Sequence, residues 1–208
     1  MHTPRRLVTR GNRRMQTLPR ICFSSTGERN LHHRGSLLLD HVSMSMNNCL
    51  VVVGMQNAFV TGPLAVPGAA MVVTRIVNKM ERFCGSIVLT REAHDTLPAV
   101  QDNSRQWDLL PEICRIQQEK CLPVYQQEAL SDGKLTKDVK MAHARLHFHK
   151  IEVVGFCTDT GVANHARALK TALPGVPVWV DSACCAGHTP DLHKATLKAL
   201  GNGQISIA

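Results

Sequence analysis

The chain has 208 residues, 44% apolar and 19% charged, with a formal net charge of +8. That composition fits one globular domain with a tail and excludes a coiled coil or a wholly disordered chain. No run of about 18 uninterrupted apolar residues exists, so no membrane-spanning helix is expected. The eight cysteines contain no C-x-x-C pair, which argues against a zinc ribbon or a thioredoxin motif and leaves free thiols in a reducing compartment as the simplest reading.

Residues 1–46 hold eight arginines and no lysine against two acids, Glu28 and Asp40; +6 of the charge lies there and +2 on the other 162 residues. A near-neutral body argues against a nucleic-acid surface. The tail is Arg-rich, acid-poor and contains Ser and Thr, the composition of a transit peptide for the mitochondrial or another organelle matrix. A disordered or wrongly assigned N-terminus and an RNA-binding arm stay open as alternatives; without targeting, the expected location is cytoplasmic. No fold is assigned to residues 1–46.

From Asn47 the pattern becomes regular. Cys49 to Val53 is a wholly apolar, β-branched run, the mark of a strand buried on both faces. Residues 54–68 are rich in Gly and Pro and read as a loop. Met71 to Phe83 has a helical apolar period. Ser86 to Thr90 is a second buried strand. Leu109 to Ile116 is a short helix candidate, and Leu122 to Tyr125 a short edge strand. Lys134 to Leu146 reads as a helix and Ile151 to Val154 as a third strong strand. Gly161 to Ala172 is helical and stops at Pro174-Gly175. Val176 to Val180 is a strand, Pro190 to Leu200 a helix with proline in its first turn, and Gln204 to Ile207 a last short strand. Strands alternating with helices at this spacing predict a three-layer α/β/α fold with a doubly wound, mostly parallel sheet. Ligands in such folds bind beyond the carboxyl ends of the strands, which points to the loops 54–68, 91–106, 155–161 and 181–189.

Five segments together carry a resemblance. LVVVGMQNAFVTGPLAVPGA (50–69), IVLTREAH (87–94), WDLLPEI (107–113), IEVVGFCTDTGVANHARALKTALP (151–174) and VDSACCAGHTPDLHKATLKAL (180–200) resemble, in the same order, the isochorismatase-like cysteine hydrolases, the superfamily that includes nicotinamidases. The resemblance spans residues 47–207. It implies that fold, a homo-oligomer, and hydrolysis of small amides by an Asp, Lys and Cys triad. In that chemistry a thiolate attacks the amide carbonyl, an Asp serves as its base, and two backbone amides hold the oxyanion.

This chain departs from the pattern where the chemistry lies. Gly54 occupies the Asp position and Gly161, in T-D-T-G-V, the Cys position. Ala58 replaces the acid of the family's N-D-F. Lys120 is the candidate for the family lysine, matched only loosely. The oxyanion amides would be those of Cys157 and Gly161, with a cis peptide expected at Phe156–Cys157. Cys157 is the best displaced nucleophile, weighed against a buried structural thiol. Thr158 and Thr160 have no base adjacent in sequence, and Asp159 and Asp181 read as capping groups. Glu92 and His94 fit the family's metal-binding Asp-x-His pair, but two ligands make an incomplete site, so no cofactor and no zinc-type metal is expected. The expectation is an isochorismatase-like or nicotinamidase-like domain, catalytically impaired or a pseudoenzyme, taking a small-molecule amide or related ligand, with no membrane or nucleic-acid partner. An active amidohydrolase using Cys157 and an organelle-targeted binding or scaffold protein are the alternatives.

Overall fold

A computed structural model of the protein describes residues 47–92, 104–127 and 133–208. The Arg-rich tail, His94 and most of the 91–106 loop lie outside the described residues. Among those described, no helix is long and apolar enough to cross a membrane.

Six strands form one parallel sheet: β1 (Asn48–Val53), β2 (Ser86–Glu92), β3 (Val124–Gln127), β4 (Lys150–Phe156), β5 (Val178–Ala186) and β6 (Ser206–Ile207). Their spatial order is β3-β2-β1-β4-β5-β6, and every pairing is parallel. The apolar runs explain the centre: Leu50 to Val53 and Ile151, Val153 and Val154 are wholly inaccessible to solvent, as strands covered on both faces must be. The helices are α1 (Ala69–Arg82), α2 (Pro111–Glu119), α3 (Lys134–Leu146), α4 (Ala163–Ala172) and α5 (Pro190–Asn202). The chain steps from β1 to β3 in one direction and from β4 to β6 in the other. Right-handed crossovers therefore put α1 and α2 on one face and α3, α4 and α5 on the other, and each set packs side by side.

The differences from the sequence reading have local causes. α2 begins at Pro111 rather than Leu109, because a proline lacking an N–H suits the first helical position. β5 runs on to Ala186 through the stretch expected as a loop, with a register shift opposite Val153 and Gly155. α4 begins two residues late, because Thr158–Val162 winds as a π-helical turn first.

Candidate functional site

In this strand order the chain reverses direction between β1 and β4, and the crevice beyond their carboxyl ends is the ligand position of doubly wound sheets. Gly54 directly follows β1, and Cys157 directly follows β4. The Phe156–Cys157 peptide is cis, as expected, and leads into the π-helical turn that holds Gly161. Such turns concentrate at functional sites.

The two glycines converge on one atom. Gly54 has φ +61, and a methyl group there would lie 2.7 Å from the carbonyl oxygen of Phe156. A methyl on Gly161 would lie 3.0 Å from the same oxygen and 3.0 Å from Cγ1 of Val53. The carbonyl oxygen of Phe156 thus lies against both positions that lack side chains. Gly155, at φ +126, is required for a simpler reason: any Cβ would meet the carbonyl oxygen of Val53 at 2.0 Å.

Side chains from distant positions hold the turn. Thr158, fully buried, has its Oγ1 at 2.8 Å from Nδ1 of His193 on α5. Asp159 accepts from the backbone N–H of His188 at 3.0 Å and lies 2.6 Å from its Nδ1. Gly187 leaves room for that carboxylate, since a Cβ there would come within 2.6 Å of Oδ1 of Asp159. Across the crevice, buried Gln56 donates to the carbonyl of Trp107 at 2.7 Å and accepts from the N–H of Glu92 at 2.8 Å. This amide ties the loop after β1 to the end of β2.

The isochorismatase domain family matches residues 48–206. The chain belongs to that family. Its fold is shared by an isochorismatase-like hydrolase from Alkaliphilus metalliredigens, with 21% identity over 79% of this chain and 92% of the other and a TM-score of 0.64. The nicotinamidase of Staphylococcus aureus matches at 16% identity over 78% and 99%, TM-score 0.63. The pyrazinamidase of Pyrococcus horikoshii, solved with zinc, matches at 17% over 78% and 98%, TM-score 0.60. No curated protein sequence matches the chain.

In this isochorismatase domain the expected site residues separate into two groups. Gly54, Cys157, Gly161 and Glu92 share the rim. Lys120 does not join them. Its ammonium donates to the carbonyls of Met80 at 2.8 Å and Glu81 at 3.1 Å, so it caps the last turn of α1, where a cation suits the helix dipole. That position lies by the amino ends of β2 and β3, away from the carboxyl-end crevice. The described rim carries no lysine; β3 ends there in Gln126 and Gln127.

The electrostatics of the rim oppose a thiolate. Burial pushes the Cys157 thiol up to about 12, the charges of Asp159 and Glu92 push the same way, and a hydrogen bond from Thr160 only partly offsets them. At neutral pH the group is a thiol, 3% exposed, and thiols are neither nucleophiles nor good ligands. Burial also raises the carboxyl of Glu92. Asp159 goes the other way: burial would raise it, but the hydrogen bonds from His188 win and leave it below its ordinary value. Of Glu92 and His94, the pair expected from the resemblance, Glu92 is described and His94 is not. No three His, Cys, Asp or Glu groups converge to hold an ion among the described residues. The described donors do not fit a metal centre.

Sequence reasoning passed over Gln56 and His193. Gln56 stood in view inside the G-M-Q-N motif, an amide directly after a buried strand. His193 pairs with a residue 35 positions away, and no local signal announces that.

Proposed function

We propose that this isochorismatase-like, nicotinamidase-like domain is a catalytically impaired hydrolase that binds a small amide or a related carbonyl compound beyond the carboxyl ends of β1 and β4. The convergence of Gly54 and Gly161 on the Phe156 carbonyl carries the reading: neither position can supply a base or a thiolate, and that carbonyl oxygen lies against the space a side chain at either would take. The nearest thiol, Cys157, stays protonated and buried. Acyl transfer needs an activated nucleophile, and losing one costs several orders of magnitude even where oxyanion amides persist. The turn that would offer those amides, from Cys157 to Gly161, supports carbonyl binding without turnover.

The test is ammonia release from nicotinamide and from simple aliphatic amides by the purified full-length chain. The expected outcome is no release above background. Turnover in the ordinary enzymatic range, about 1 per second or faster, sinks the proposal. In that event, Cys157→Ser decides whether the displaced thiol is responsible.

A further inference from the structure

Successive residues of a strand point to opposite faces of its sheet. At the end of β2 this separates two chemistries. Glu92 acts on Cys157 at the rim. Arg91 instead lines a separate open groove of about 580 Å³ between α2 and the ends of β2 and β3. That volume is within the range of small-molecule sites, about 300–1,000 Å³.

Arg91, Arg105 and Gln126 supply the groove's donors, and Leu109, Pro111 and Val124 supply apolar wall. Arg105 is fixed through its backbone, whose carbonyl accepts from Nδ2 of Asn57 at 2.8 Å. Two other arginines on this face are committed: Arg115 to Glu81 and Glu119, and Arg75 to the carbonyl of Ala183. Arg91 and Arg105 enter no ion pair with any described residue. One acid, Asp108, also lines the groove and leaves a net charge of +1 on the three. Cys114 lies among these charges. Burial raises its thiol, Asp108 adds to that, and Arg91 opposes it.

From this arrangement we infer that the groove is a second ligand site, for a small organic anion: a carboxylate on an apolar body. The guanidiniums present paired donors to the carboxylate, and the walls from Leu109, Pro111 and Val124 cover the apolar part. Inorganic phosphate would use the arginines alone. The site is separate from the proposed amide pocket and does not depend on it.

The experiment is a titration of the ¹⁵N-labelled full-length chain with benzoate, its neutral counterpart benzamide, and inorganic phosphate. Benzoate should move the backbone amides of Leu109, Cys114 and Gln126 and saturate them, with benzamide at least tenfold weaker there. The double variant Arg91→Gln, Arg105→Gln should weaken benzoate at least tenfold; if it fails to fold, Arg105→Gln alone, at an exposed position, should weaken it about threefold. No movement of the groove amides by about 20 mM benzoate overturns the inference. So does equal binding of benzamide, or indifference to the arginine substitutions. Phosphate binding as tightly as benzoate overturns the organic-anion class. Shifts confined to Gly54 and Gly161 overturn this site while leaving the amide pocket standing.

Discussion

The rim of β1 and β4 holds two glycines, Gly54 and Gly161, and the buried neutral thiol of Cys157. On the α1 face of the sheet, by contrast, an acid, a lysine and a cysteine stand in contact. Lys79 bridges Asp181, at 2.5 Å, and Glu152, which also pairs with Lys150 at 2.7 Å. Cys184 is hydrogen-bonded to Asp181. An acid, a lysine and a cysteine are thus together there, and they make a poor nucleophilic triad. Burial pushes the Cys184 thiol up to about 12, Asp181 adds to it, and Lys79 opposes too weakly because two carboxylates share it. A nucleophile needs a thiolate stabilised by surplus positive charge. One region lacks the side chains; the other has them with the charge already spent.

The largest effect expected is at the rim. Gly155→Ala should cost more than about 3 kcal/mol, because a methyl group cannot sit 2.0 Å from the Val53 carbonyl at φ +126; urea unfolding measures it, and a loss below about 1 kcal/mol would contradict the geometry. Next comes thiol reactivity. Exposed Cys84 and Cys121 should alkylate at neutral pH at least about 100-fold faster than Cys157 and Cys184, both under 5% exposed. Mass-spectrometric time courses read this, and comparable rates at Cys157 would restore it as a nucleophile.

Lys79→Met probes the other region. Removing a half-buried cation from two carboxylates should cost about 2 kcal/mol at neutral pH, less than a fully buried pair because Lys79 is 24% exposed. Burial works to raise Asp181 and Glu152, but hydrogen bonds from Lys79 and Lys150 outweigh it and hold both below their ordinary 3.8 and 4.5. Their contribution is therefore complete above those ordinary values and lost as pH falls through the lowered ones. The deficit of the variant should shrink on acidification below about pH 4; a deficit that grows there would refute the ion-pair account. The smallest effect is Thr158→Val, about 1 kcal/mol for the bond to His193. Its ¹H–¹³C signature should be a changed titration of His193, which burial now holds below its ordinary value. An unchanged titration would mean that the bond does not bear on His193.

The layered fold was legible because its cause is local: apolar β-branched runs alternate with helical periods, and Thr189-Pro190 marks the start of α5 with a side-chain cap to Leu192 at 3.1 Å. The length of β5 was not legible, because Asp181, Ser182 and Ala183 are polar or small residues at a half-covered part of the sheet and break the apolar run. At the site, the cis turn was readable from the motif frame. The commitment of Lys120 to a helix end and the clamps from His188 and His193 join residues about 30–40 positions apart, which pattern within a window cannot reveal.

Two positions leaning on one carbonyl also have a consequence for how such a rim could change by mutation. The Phe156 oxygen faces both Gly54 and Gly161, so the first side chain introduced must displace it, and the second then meets a rim already moved. Substitutions at sites with a shared partner are not additive, with interaction energies of about 0.5–3 kcal/mol. The pair is epistatic: Gly54→Ala and Gly161→Ala together should cost less than the sum of each alone, and any path toward a side-chain-bearing rim begins with its hardest step.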